Sequence, residues 1–99
     1  MKKYIYVASI GHKYQIPSFR GSYPLRLDHG QLLSGRVYYE SKKTLRIETT
    51  LLYEVGQKVS IGGYPMGGKM FRLIELSITD YPVLDNAYII SRKEIENDN

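Results

Sequence analysis

Gly63-Tyr64-Pro65-Met66-Gly67-Gly68-Lys69 fulfils the G-x-x-x-x-G-K part of a phosphate-binding loop. Such a loop cradles phosphate with backbone amides, extends Lys to the terminal phosphates and places Mg²⁺ on a following Ser or Thr. Here that last position is Met70, which cannot ligate Mg²⁺, and Pro65 has no amide to donate. The residues that follow, Phe71–Thr79, alternate as a strand does, whereas the motif must open a helix. The stretch therefore reads as a glycine loop over Gly62–Lys69, with Lys69 able to touch a nucleic-acid phosphate.

The acid–base groups are few. His12 and His29 are the only histidines, and each falls in or beside a loop. A histidine pair can cleave RNA, one ring taking a proton and the other giving one, so a small RNase using His12 and His29 is one alternative reading. Asp28 precedes His29, but sequence neighbours point apart on extended backbone. Ser34 has no nucleophile-elbow pattern around it. There is no Cys, which excludes disulfides, thiolate nucleophiles and Cys-ligated metals, and the remaining acids show no ligand spacing. No catalytic residue, metal or cofactor is assigned, and the chain reads as a binding protein rather than an enzyme.

Binding chemistry is better represented. Residues 1–46 hold nine basic side chains against two acidic ones, a balance of +7; residues 47–99 hold five against eight, a balance of −3. The whole chain carries +4 with a pI near 9.3. Basic surfaces attract polyanions. In the basic half aromatics alternate with arginines, as in Phe19-Arg20, Tyr23-Pro24-Leu25-Arg26 and Arg36-Val37-Tyr38-Tyr39. Cations hold phosphates and rings stack on bases. The expected nucleic-acid contacts are Arg20, Arg26, Arg36, Lys42, Lys43, Arg46 and Lys69, with Phe19, Tyr23 and Tyr39 as stacking rings. Ten tyrosines include three Tyr-Pro pairs, Tyr23-Pro24, Tyr64-Pro65 and Tyr81-Pro82, each expected in a loop. Loop-borne Tyr offers large contact area at low entropic cost. A second reading is therefore a protein-binding inhibitor or adaptor, of the kind a phage or mobile element directs at a host protein, anchored by Tyr64, Met66 and Tyr81.

These residues need a scaffold, and the sequence favours strands. At 99 residues the chain accommodates one domain. Short β-branched and aromatic runs are separated by Gly, Pro, Asn and Asp. Expected strands are Lys3–Ile10, Leu32–Glu40 with a bulge at Gly35, Thr44–Leu51, Lys58–Ile61, Met70–Thr79 and Ala87–Ile90. Tyr14–Ile16 pairs briefly, and residues 17–30 form a long irregular segment. Ser41-Lys42-Lys43 makes a tight hairpin turn. Leu45, Ile47, Thr49 and Leu51 share one face of their strand; Ile74, Leu76 and Ile78 share one face of theirs. Ser91-Arg92-Lys93-Glu94 is a capping-box pattern, so residues 91–99 are expected as a short helix or a frayed tail. The order of a turn at Val55-Gly56-Gln57, a short strand to Ile61, a glycine loop, a long strand and Tyr88-Ile89-Ile90-Ser91 resembles the layout of small SH3-like barrels. The expectation is an all-β fold: a small SH3-like or OB-like barrel of five to seven short antiparallel strands.

The first ten residues are apolar for only seven positions after Met1-Lys2-Lys3, too few for a secretory signal. No run approaches the ~18 apolar residues of a membrane span. The expected setting is the cytoplasm, with RNA or DNA as partner, or a host protein, without membrane association, and with a homodimer as one arrangement.

Overall fold

The computed structural model describes residues 2–96. Seven strands form one sheet: β1 (Lys2–Ile10), β2 (Tyr23–Leu27), β3 (Gln31–Ser41), β4 (Thr44–Thr49), β5 (Val59–Gly67), β6 (Met70–Ile78) and β7 (Ala87–Glu96). Their order across the sheet is β5-β6-β2-β3-β4-β1-β7. All neighbours are antiparallel except β2 and β6, which run parallel through Leu25↔Leu76 and Leu27↔Ile78. The sheet curls until its two edges meet at one end. Gly56 N–H donates to the Ile89 carbonyl (2.8 Å), Ile89 N–H donates to the Gln57 carbonyl (2.9 Å), and Lys58 bridges Tyr88. Beyond that point the ladder stays open.

The all-β expectation holds, and alternation explains why. In β1, Tyr4, Tyr6, Ala8 and Ile10 are buried while Ile5, Val7 and Ser9 are half-covered. In β4, Leu45, Ile47 and Thr49 face inward, as their spacing requires. One hydrophobic cluster results, built on Tyr6, Ile10, Leu25, Leu45, Ile47, Leu76 and Ile89. Lys42-Lys43 forms the expected two-residue turn between β3 and β4, closed by Ser41↔Thr44. The brief pairing at Tyr14–Ile16 is the parallel bridge Gln15↔Met70. The expected bulge at Gly35 corresponds to a register shift between Pro24 and Arg26 in the β2–β3 ladder.

Four expectations are corrected. The irregular segment 17–30 contains β2, because Leu25 has a dry slot beside Leu76. The capping-box residues Ser91–Glu94 lie in β7 instead of a helix. There β1 supplies a complete ladder from Val7↔Ser91 to Lys2↔Glu96, and tertiary pairing outweighs local capping. Residues 97–99 of that expected helix or tail lie outside the described residues. The glycine loop 62–69 is mostly strand: β5 continues to Gly67, and the chain reverses over Gly68-Lys69, with Gly68 at φ +59°. A left-handed turn residue suits glycine, so these glycines serve a hairpin and not a phosphate cradle. Tyr23-Pro24 and Tyr64-Pro65 are accordingly in strands, and only Tyr81-Pro82 is in a loop.

The fourth correction concerns β6. Gly62 pairs with Glu75 and Gly63 with Leu73, so Ile74 is left over in a bulge. The extra residue shifts the phase of the strand. Phe71 and Leu73 face the core before it, Leu76 and Ile78 after it, and Ile74 itself is 49% exposed. The same shift places Glu75 and Ser77 together on the opposite face, where both are nonetheless buried.

Candidate nucleic-acid interface

The nine N-terminal cations do not form one face. Because β1 lies between β4 and β7, C-terminal and β4 acids sit beside N-terminal lysines. Lys3 Nζ pairs with Glu48 (3.0 Å), and Lys2 Nζ lies 3.7 Å from Glu94. Arg46 donates through Nε to Glu48 (3.1 Å), lies 3.9 Å from Glu40, and packs over the Tyr38 ring at 4.9 Å. The hydrogen bond from Lys3 holds the Glu48 carboxyl below the usual carboxylate range, with Arg46 adding to it and partial burial opposing it. Arg36 is held by Ser22 through Oγ (2.8 Å) and the carbonyl (3.0 Å), and Arg26 by the Gly30 carbonyl (2.7 Å). Arg92, further along, donates to the Tyr53 carbonyl.

A different subset converges. Gln15 N–H donates to the Lys69 carbonyl (2.7 Å), and Ile16 N–H donates to the Lys42 carbonyl (2.8 Å). Consecutive amides of extended backbone point to opposite sides. The Lys42-Lys43 turn and the Gly68-Lys69 turn therefore flank one segment, about 10 Å apart at two interstrand spacings. Lys43 Nζ donates to the carbonyls of His12 (3.0 Å) and Tyr14 (3.1 Å), fixing the loop that carries Lys13. Lys13 lies over the Tyr14 ring at 5.3 Å. Among the described residues Lys13, Lys42, Lys43 and Lys69 have no carboxylate within ion-pair distance. This end of the molecule is basic in space, and sequence separation hides it: its members come from three chain segments.

The expected stacking rings also meet. Phe19 packs edge-on against Tyr23 (centroids 4.8 Å) and Tyr39 (5.7 Å). All three are half-buried against the core, so part of their role is packing. Phe19 and Tyr23 line a cleft of about 160 Å³ with Ile16, Pro17, Met66 and Arg72. Ile16 joins it directly to the lysine turns. Met66 and Arg72 on the β5–β6 hairpin were not expected beside these rings, since no local spacing connects residue 19 with residue 72. Arg20 is exposed on the same segment.

The remaining candidates lie elsewhere. Tyr64 is exposed on β5, two residues before the cleft-lining Met66, and Tyr81, 89% exposed, is in the 79–86 loop. His29 Nδ1 bonds Glu75 (2.6 Å). His12 lines a separate depression with Asp85 and Asn86, and no hydrogen bond joins the two rings among the described residues. The described residues contain no group of three or more His, Cys, Asp or Glu able to hold a metal ion. Among the described residues no helix is long and apolar enough to cross a membrane. No family model, curated protein or solved structure matches this chain.

Proposed function

We propose that the protein is a non-catalytic binding module for single-stranded nucleic acid, acting in the cytoplasm. The observation that carries the reading is the pair of lysine turns flanking Gln15-Ile16 and opening onto the Phe19–Tyr23–Arg72 cleft. Unpaired lysines attract phosphates, and a cleft lined by two aromatic rings and a guanidinium suits one unstacked base. A duplex keeps its bases stacked and offers none to such a slot. Lys13, Lys42 and Lys69 contact phosphates, Lys43 holds the loop beneath them, and Arg72 with Phe19 and Tyr23 brackets the base.

The test is anisotropy of a labelled oligonucleotide of mixed sequence. Binding at 50 mM salt should weaken by roughly tenfold or more at 200 mM, in line with three or four neutralised phosphates. Lys42→Ala with Lys69→Ala should weaken it further, and a duplex of the same sequence should bind less well. No binding at 50 mM salt would refute the reading.

A further inference from the structure

On the far face of the β6 bulge, several unusual features meet at one side chain. Glu75 is 7% exposed, and its carboxylate accepts from Ser77 Oγ at 3.0 Å and pairs with His29 Nδ1 at 2.6 Å. His29 N–H donates to Ser77 Oγ (2.8 Å), so backbone and ring are both fixed. Asp28 and His29 carry φ of +50° and +60°, a left-handed turn built without glycine. Gly62 leaves the space the carboxylate fills: a Cβ there would come within 2.5 Å of Glu75 Cδ. A buried carboxylate is costly, and a hydrophobic side chain would serve the core at least as well. What the arrangement does achieve is a histidine fixed by Nδ1, with Nε2 the ring nitrogen that has no partner among the described residues.

His29 borders a cleft of about 290 Å³. Its wall includes Lys13, Tyr14, Phe71 and the Gly62-Gly63 backbone. The Tyr14 and Phe71 rings pack at 5.0 Å. Two nitrogen donors of different elements, an ammonium and an imidazole, thus border one opening beside an aromatic wall. Glu75 orients the ring through Nδ1, as a carboxylate orients the histidine of a catalytic triad.

We propose that this cleft binds a phosphate monoester carried on a planar ring, such as a nucleoside monophosphate or the 5′-phosphorylated end of a strand. Lys13 Nζ donates to the phosphate oxygens, the doubly protonated form of His29 donates to them through Nε2–H while Glu75 holds Nδ1–H, and Tyr14 contacts the ring. Glu75 acts as a positioning residue through His29. The site shares no lining residue with the Phe19–Arg72 cleft, and only Lys13 serves both it and the proposed nucleic-acid surface.

The experiment titrates ¹⁵N-labelled protein with adenosine 5′-monophosphate, inorganic phosphate and adenosine, and with 5′-phosphorylated and 5′-hydroxyl oligonucleotides. Saturable shifts of the His29 ring nitrogens and of the Gly62 and Gly63 amides are expected with the monophosphate and absent with adenosine. His29→Gln and Lys13→Ala should each weaken the monophosphate at least tenfold. Glu75→Gln should weaken it and also change the His29 tautomer signature, which a purely structural loss elsewhere would not do. Lys42→Ala with Lys69→Ala should weaken oligonucleotides while leaving the monophosphate unaffected, which separates this site from the other. In the Lys42→Ala, Lys69→Ala background, tighter binding of the 5′-phosphorylated than of the 5′-hydroxyl oligonucleotide identifies the strand end as the source, and equal binding of the two with the monophosphate still bound identifies the free nucleotide. Lys13 is exposed, so its variant remains informative if His29→Gln fails to fold. Equal shifts with adenosine, or binding unchanged in Lys13→Ala, would overturn the proposal.

Discussion

Tyr6 shows how much of the tyrosine content is structural. Its hydroxyl donates to the Leu51 carbonyl (2.7 Å) and accepts from Tyr53 N–H (2.8 Å), stitching the 50–53 segment to β1. Burial pushes the phenol up from its ordinary value, the Tyr53 bond opposing. Tyr6→Phe keeps the ring but strands a carbonyl and an amide, and should cost about 1–3 kcal/mol in urea denaturation. Glu48 provides a pH-dependent counterpart. Its carboxyl is depressed in the folded state, so its stabilisation is present above the unfolded pKa and lost as pH falls through the folded one. Melting temperatures from pH 7 to pH 3 should therefore fall less steeply in Glu48→Gln than in the parent. At this scale the sequence was only partly legible. Phe19, Tyr23 and Tyr39 could be singled out as rings among arginines, and they do meet. Arg46 shares a face of β4 with Glu48, but its contact with Tyr38 could not be seen, because that partner is fixed by pairing across strands.

Among the elements, β7 and the β5–β6 hairpin are most instructive. Ser91 has the sequence environment of an N-cap, yet it is an exposed strand residue opposite Val7. Ser91→Ala should therefore change stability by less than about 0.5 kcal/mol, where loss of a cap would cost about 1 kcal/mol. Equilibrium unfolding distinguishes the two. The hairpin depends instead on its bulge. Gly62→Ala forces a methyl against the Glu75 carboxylate and should destabilise by about 1–3 kcal/mol, read by the same method. Strand β4 was legible because a period of two is a local signal, and β1 because a continuous β-branched and aromatic run is one too. The bulge was not: Ile74 fits the apolar pattern of Leu76 and Ile78, and only the partner strand reveals the extra residue. Strand β2 was hidden for a related reason, since its parallel neighbour β6 lies some fifty residues away.

Over the whole molecule, the charge split along the chain is a poor guide to the charge split in space. The +7 half is partly neutralised where β1 meets β4 and β7, while Lys13, Lys42, Lys43 and Lys69 gather at the end where two hairpin turns clasp residues 15–16. Lysine-bearing turns at Lys42-Lys43 and Lys69 were visible in the sequence; their adjacency was not, because it depends on two backbone hydrogen bonds to one short segment. That end and the cleft behind it are the basis for reading the protein as a single-strand nucleic-acid binder. The most direct test is the dependence of oligonucleotide affinity on salt, measured for the parent and for the Lys42→Ala, Lys69→Ala double variant. The account predicts a log–log slope of about −2 to −3 for the parent, from three or four phosphates on a single strand, made shallower by about 1.4 units in the double variant. A slope unchanged by removing both lysines would contradict it.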